Sequence, residues 1–491
     1  MNQKLHSDHG IANGRICHAI FPPLFTAVLC CGLLTAAQAQ TSLVISSIAS
    51  TTNGLALSWS GESSNTAYTV QFRSSLTSGE WQNASMRYRW PWPFTNWSDA
   101  PLTLLAPRFY RVMTETLPPP DRGRLLTNSS LGQLSTNQAR SILLFAGMSF
   151  VNPKFPVSKL KFSYETVDPF GLPIRASGLL VVPQGAPGPL PLVSIQHGSI
   201  ALRSDAPSQS STIFEYKAGL AFATLGYVAV VPDYLGFGDS PGYQSYIHAQ
   251  SMATCVVDAL RAARTLCASN QITLNGQLFL FGYSQGGQAT MATHRELETF
   301  HTNEFSVTGS APSAGAYDVG GVTVEAILAN PSYDNPWYFP IVLASFLPIY
   351  NLAGTLEGLL AEPYRRTLPR LLDGAHSSGE LNDAMPRDPF QILRPDFQAD
   401  FRTNANNPLR LAFRDNHLHD WTPQTPMKML QCSGDQDVIF ANAQVAYQSF
   451  INRGACCVEL VDPGAPQALD HGGCVIPSFR GALTWFETLK H

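Results

Sequence analysis

The chain has 491 residues, which is longer than one hydrophobic core usually supports, so we expect two or more domains. Hydrophobic residues make up 44% of it and charged residues 13%, a balance that excludes a largely disordered chain. The net charge of −4 argues against a nucleic-acid partner, because binding to a phosphate backbone needs a surplus of Lys and Arg.

Residues 1–39 are predicted to be a signal peptide. Lys4 and Arg15 come before or at the edge of a mostly apolar stretch, 19–37, and Ala37-Gln38-Ala39 supplies small residues for cleavage. A retained membrane anchor is the alternative, but the apolar stretch is short and two prolines interrupt it. We therefore expect an exported protein, secreted or periplasmic, without a stable membrane span.

Residues 41–116 predict a small all-β domain. Short alternating stretches such as 55–59 and 68–72 are separated by Gly, Ser and Asn, as in antiparallel sheets. Their spacing resembles a fibronectin type III-like sandwich. Four tryptophans offer a candidate platform for a polysaccharide or polymer surface, although such residues more often belong to a core. These are Trp81, Trp90, Trp92 and Trp97.

A Pro-rich linker, 117–121, leads into a predicted α/β domain, 122–491. Strands alternate with helices there, which predicts a mostly parallel sheet with helices on both faces. The alternation stops over about 316–424, a segment rich in Pro, Leu and aromatic residues. A connection of that length is expected to be a subdomain, and we interpret it as a helical cap.

Ser284 is the strongest candidate for a catalytic residue. It lies in Gly282-Tyr283-Ser284-Gln285-Gly286, after the apolar run 278–281 and before a helical pattern rich in small residues. This is the pattern of a nucleophile elbow, in which a tight strand-to-helix turn exposes the serine hydroxyl. The sequence therefore predicts nucleophilic catalysis by Ser284.

A nucleophilic serine needs a histidine to accept its proton and a carboxylate to orient that histidine. In folds with such an elbow the chain order is serine, acid, histidine. His471, in a loop after the last predicted strand, is the expected base. Asp437 is the preferred acid, because it follows the glycine turn at Gly434 by three residues and precedes an apolar residue, and Asp435 is the alternative.

Two backbone amides are expected to stabilise the oxyanion of the tetrahedral intermediate. One is the N–H of Gln285, directly after the nucleophile. The other is the N–H of Ser199, in the loop His197-Gly198-Ser199 that follows a predicted strand.

Six cysteines follow the predicted signal peptide, and an even number in an exported protein permits disulfides. We expect Cys474 to pair with Cys456 or Cys457, because that bond would brace the loop of His471. Buried free thiols are the alternative.

The segment His417-Leu418-His419-Asp420 contains metal-ligand residue types at a suitable spacing. No His-rich motif follows it, and it directly precedes a predicted core strand. We therefore expect neither a metal nor another cofactor.

Several stretches resemble the secretory lipases of the yeast lipase A type, which are α/β-hydrolases. They are Tyr164-Glu165-Thr166, 176–183, 232–240, 260–264 and the elbow. The resemblance covers residues 122–491 and implies a carboxylic ester hydrolase with a helical cap and with Ser284, Asp437 and His471 as its triad. The expected substrate is an ester of a lipid, a small alcohol or a polyester. The alternatives are a serine peptidase of the same fold and a polymer-surface binding protein with an inactive hydrolase domain.

Overall fold

The computed structural model describes residues 45–51, 54–59, 66–84, 88–89, 96–99, 108–116, 121–329, 332–350, 352 and 355–491. The predicted signal peptide and nearly all of the predicted linker lie outside these residues. The chain divides into two compact units, one of residues 1–119 and 170–172 and the other of residues 120–169 and 173–491.

The first unit is all-β. Strands β1, β2 and β6 form one antiparallel sheet, and β3 pairs with β4, β5 and β7 in another. Leu57 and Trp59 of β2 share a buried cluster with Tyr68 of β3 and Tyr110 of β7, so the two sheets pack face to face. The strands are β1 (Ile45–Thr51), β2 (Gly54–Trp59), β3 (Thr66–Arg73), β4 (Gln82–Asn83), β5 (Tyr88–Arg89), β6 (Asn96–Asp99) and β7 (Phe109–Thr116).

The ring of Trp81 is engaged within this unit. The guanidinium groups of Arg73 and Arg111 lie over it, 4.5 and 4.4 Å from its centroid. The side chains of the other three tryptophans of the predicted platform lie outside the described residues. Polymer binding by this unit and its fibronectin-like character stay predictions.

The second unit is built on a nine-stranded sheet. Its strand order is β16-β15-β14-β13-β11-β12-β10-β9-β8. The pairs β8–β9, β9–β10 and β10–β12 are antiparallel, and the six strands β11 to β16 are parallel to one another. The strands are β8 (Leu125–Leu134), β9 (Val157–Val167), β10 (Pro173–Pro183), β11 (Leu190–Gln196), β12 (Val228–Pro232), β13 (Leu274–Tyr283), β14 (Val307–Ser313), β15 (Met427–Leu430) and β16 (Val458–Val461).

Helices cover both faces of this sheet. Successive side chains of a strand point to opposite faces, so Val228 and Val230 join one buried cluster while Ala229 and Val231 join another. The first cluster includes α3 and α4, and the second includes α1, α2 and α13. Helix α12 packs on β15 in a further buried cluster. The helices of this unit outside the cap are α1 (Thr136–Phe145), α2 (Phe214–Thr224), α3 (Ala249–Ser269), α4 (Gln285–Phe300), α12 (Ala441–Asn452) and α13 (Val475–Leu489).

The segment between β14 and β15 is helical and has an apolar core of its own, which includes Phe346, Phe390 and Phe401. The predicted fold class, a mostly parallel sheet with a helical cap after a small all-β domain, is confirmed. None of the described helices is long and apolar enough to cross a membrane. The cap helices are α5 (Val324–Ala329), α6 (Tyr338–Ile349), α7 (Leu356–Leu359), α8 (Tyr364–Leu371), α9 (Ser378–Asp383), α10 (Pro395–Thr403) and α11 (Pro408–Asp415).

Candidate active site

Ser284 is the single residue between β13 and α4, and it has the geometry that the elbow motif predicts. Its φ of 60° and ψ of −122° are rare for a residue with a side chain and mark local strain. A Cβ at Gly282 would lie 2.2 Å from the carbonyl oxygen of Gly286, and a Cβ at Gly286 would lie 2.0 Å from that of Gln196. Only glycine fits at these two positions, so the motif is dictated by sterics.

His471 lies beside the Ser284 hydroxyl. Its Nε2 is 3.0 Å from Ser284 Oγ, and its Nδ1 is 2.7 Å from Asp435 Oδ2. Tyr283 holds the histidine loop, because its hydroxyl donates to the carbonyl oxygen of His471 at 2.7 Å. The sequence analysis missed this role of Tyr283, whose signal is a tyrosine directly before the nucleophile. The side chains of Asp435, His471 and Ser284 form a continuous chain of hydrogen bonds.

The preference for Asp437 as the partner of His471 is wrong, and the alternative Asp435 occupies that position. The Asp435 side chain is fully buried and accepts further hydrogen bonds from Gln431 Nε2 and from the amides of Asp437 and Val438, at 2.9 to 3.0 Å. Asp437 instead accepts a hydrogen bond from Asn335 Nδ2 at 2.7 Å. Burial raises the pKa of the Asp437 carboxyl.

A close contact at Gly434 accounts for the position of Asp435, and not Asp437, beside His471. A Cβ there would lie 2.3 Å from the carbonyl oxygen of Ala468, so the backbone of Gly434 packs directly on the loop that leads to His471. The residue directly after the glycine, Asp435, is therefore the one placed next to the histidine. Asp437, two residues further on, lies at the cavity wall.

The disulfide prediction is also wrong in its partner. Cys474 bonds to Cys432, with 6.0 Å between the Cα atoms. Cys456 and Cys457 are free, with their sulfur atoms 2.9 Å apart. The bond joins a residue three before Asp435 to a residue three after His471, so it ties the acid loop to the base loop.

Replacing both Cys432 and Cys474 with alanine is expected to lower the melting temperature by about 5–10 °C. The disulfide closes a 42-residue separation, for which chain entropy gives a stabilisation of roughly 4 kcal/mol. Differential scanning calorimetry measures this, and Cys456→Ser, at an exposed free thiol, is the matched control. A double variant that melts with the wild type would show that the bond does not stabilise the fold.

The two predicted oxyanion donors flank the nucleophile. Gln285 begins α4, and a Cβ at Gly198, next to Ser199, would lie 3.9 Å from Ser284 Cβ. Among the described residues the amides of Gln285 and Ser199 have no hydrogen-bond acceptor, so both are available to a substrate oxygen. The Ser199 hydroxyl is 2.7 Å from that of Tyr246.

Glu215 holds the Ser199 loop and was missed by the sequence analysis. Its Oε1 accepts a hydrogen bond from the Gly198 amide at 2.8 Å. His197 packs in the same place, with Nε2 3.0 Å from the carbonyl oxygen of Asp233. Burial raises the pKa of the Glu215 carboxyl and lowers that of His197. The signal in the sequence is an acidic residue in the first turn of a mostly apolar helix, α2.

A mostly apolar cavity opens at Ser284. Its volume is about 820 Å³, counted together with the mouth that is open to solvent. Ser284 and Gln285 lie at its base, Asp437 is a carboxylate on its wall, and cap side chains supply most of the remainder. The large cap residues that line it are Tyr333, Tyr338, Phe339, Val342, Phe390 and Phe413.

Comparison with known proteins agrees with this architecture. The sequence profile of the secretory lipase family matches residues 208–329, which include the elbow. The rice cell wall degrading esterase LipA from Xanthomonas oryzae is 31% identical, with a TM-score of 0.64 over 75% of this chain and 97% of that one. A Legionella pneumophila protein described as a hydrolase is 26% identical, with a TM-score of 0.70 over 74% and 98% of the two chains.

Candida antarctica lipase A in its closed state is 13% identical, with a TM-score of 0.57 over 75% of this chain and 82% of that one, and shares the fold alone. No curated protein matches the chain in sequence. A nucleophile elbow on a mostly parallel sheet, bordered by a helical cap, defines an α/β-hydrolase. The chain belongs to the secretory lipase family, and it is a carboxylic ester hydrolase.

Proposed function

We propose that this enzyme is an exported serine esterase that uses Ser284, His471 and Asp435 to cleave esters of short and medium acyl chains. The observation that carries the proposal is the hydrogen-bond chain from Asp435 through His471 to Ser284, at the base of an apolar cavity. Export is supported by the signal-peptide pattern of residues 1–39 and by the family.

The proposed reaction has two steps. His471 Nε2 takes the proton of Ser284 as Oγ attacks the ester carbonyl carbon, and the amides of Gln285 and Ser199 receive the negative charge that forms on the carbonyl oxygen. The intermediate collapses, the bond to the alcohol breaks, and His471 returns the proton to the departing alkoxide. In the second step, water loses a proton to His471 and attacks the acyl-enzyme, which releases the carboxylic acid and restores Ser284.

The cavity supports the preference for short and medium chains. Its walls are mostly apolar and aromatic, which favours a hydrocarbon chain over a polar acyl group. Part of its volume of about 820 Å³ is the open mouth, and we expect the enclosed remainder to hold a short or medium chain better than a palmitoyl chain. The relative from Xanthomonas oryzae is named for the degradation of rice cell walls, and we infer that an ester of a cell-wall polymer with a short acyl group is a candidate substrate of this enzyme too.

The test is the initial rate of the purified mature protein on p-nitrophenyl esters from acetyl to palmitoyl, beside p-nitroanilides of matched acyl groups. We expect the highest kcat/KM between butanoyl and octanoyl, at least about 100-fold above palmitoyl, because the longer chain finds too little enclosed space. A maximum at palmitoyl would overturn the chain-length preference. Faster cleavage of the anilides than of the esters would favour the peptidase alternative.

A further inference from the structure

Two ends of the cap segment meet at a cluster of three potential metal ligands. Asp318 follows β14, where the cap segment begins, and His417 and His419 lie between α11 and β15, where it ends. No motif downstream of the histidines supplies another ligand. Asp318, which precedes His419 by 101 residues in the sequence, lies beside it in the fold. A ligand atom from each of the three side chains lies within 4.8 Å of the other two.

The two distances from the aspartate to the histidines suit a tetrahedrally coordinated ion. Asp318 Oδ1 is 3.0 Å from His417 Nε2 and 3.3 Å from His419 Nε2. Bonds of about 2.0–2.2 Å to zinc imply ligand atoms roughly 3.3 Å apart in a tetrahedron. The chain from 417 to 419 is not helical, and residues two apart in an extended chain project from the same side.

Protons alone do not satisfy this cluster. The amide of Gly320 donates to His417 Nε2 at 3.0 Å, which requires a lone pair on that nitrogen. The same nitrogen would have to carry a proton to donate to Asp318 Oδ1, also at 3.0 Å. A cation between nitrogen and carboxylate removes this conflict, at the cost of the Gly320 contact. The other carboxylate oxygen, Oδ2, is held by the Val322 amide at 3.0 Å.

We propose that Asp318, His417 and His419 bind a structural Zn²⁺ ion that fastens the two ends of the cap segment together. Two imidazoles and one carboxylate form a ligand set that suits zinc, with water as the fourth ligand. The side chains of Asp318, His417 and His419 are 10%, 21% and 21% exposed, which leaves an approach from solvent for that water. None of these three residues belongs to the proposed catalytic triad or to the oxyanion donors.

The ion would also fix one wall of the cavity. Val319, directly after Asp318, and Val324 line the space above Ser284. The ion joins residues about a hundred apart in the chain, and it binds where the fold brings them together, so binding shifts the equilibrium toward the folded state. Bound zinc therefore stabilises the folded cap without contacting the reacting atoms.

The test uses the mature full-length chain, stripped with a chelator, dialysed and titrated with zinc chloride in a calorimeter. We expect one Zn²⁺ per chain and a melting temperature about 3–5 °C higher at free zinc near 100 times the Kd. Asp318→Asn and His419→Gln should each weaken binding by about 100-fold or more and abolish the shift. Melting of each variant in chelator, compared with stripped wild type, shows whether it is folded.

Two controls distinguish this site from other zinc ligands. His376→Gln removes a histidine that is also paired with a cap aspartate, Asp373, at 2.9 Å, and it should bind zinc as the wild type does. A Cys456→Ser/Cys457→Ser variant removes the adjacent thiols and should also retain the ion. The proposal is overturned if wild type shows no 1:1 binding, if folded Asp318→Asn and His419→Gln bind like wild type, or if the serine variant alone loses zinc.

Discussion

Asp435→Asn is expected to lower kcat for ester hydrolysis by about 10⁴-fold, with little change in KM. An asparagine fits the same space and its carbonyl oxygen still accepts from the amides of Asp437 and Val438. Its amide group would then donate to His471 Nδ1, which places the imidazole proton on Nε2 facing Ser284. In that tautomer His471 cannot accept the serine proton, so the loss falls on the chemical step.

Asp437→Asn is the matched comparison, since it makes the same change two residues away. Its partner Asn335 supplies a hydrogen bond that an asparagine carbonyl also accepts, so we expect kcat within about threefold of wild type. Steady-state kinetics on p-nitrophenyl butanoate, with melting curves for both variants, decides between the two acids. A collapse of kcat in Asp437→Asn with near-normal activity in Asp435→Asn would reinstate the original preference.

Ser284→Ala is expected to lower kcat by about 10⁶-fold without unfolding the protein. Alanine keeps the Cβ that the elbow already accommodates and removes only the attacking oxygen, so no new clash arises at φ 60°. Residual hydrolysis above the uncatalysed rate would come from the oxyanion donors and substrate binding. The measurement is kcat together with mass spectrometry after treatment with a p-nitrophenyl phosphonate.

Ser199→Ala is the control for this loss. Ser199 is expected to contribute its backbone amide, which alanine retains, and its hydroxyl forms a hydrogen bond with that of Tyr246. This variant should keep the phosphonate label on Ser284 and lose less than about tenfold in kcat. Appreciable turnover by folded Ser284→Ala, or a label on another residue in the wild type, would contradict the assignment of the nucleophile.

The elbow was predictable because its determinants are local. The steric demands on Gly282 and Gly286 arise within the motif and from the adjacent strand, so five consecutive residues and their flanking pattern identify it. The alternation of strands and helices predicted the sheet for the same reason, since each element is encoded by its own periodicity.

The errors concern contacts between distant parts of the chain. Asp435 faces His471 because Gly434 packs on Ala468, and no spacing rule within the acid loop reports that contact. The disulfide between Cys432 and Cys474 likewise joins residues 42 apart, and the sequence near either cysteine does not indicate its partner. Asp318, the third candidate metal ligand beside His417 and His419, precedes them by about a hundred residues and belongs to no recognisable motif.

The cap packs around an apolar cluster that is separate from the clusters that cover the sheet. Sequence changes in the cap can therefore reshape the space above Ser284 while the strands that place Ser284, Asp435 and His471 keep their packing. Mutations that alter acyl preference are less constrained by folding than mutations in the sheet. The substrate preference of this enzyme can therefore change in evolution through mutations in the cap, while the residues that carry out hydrolysis stay the same.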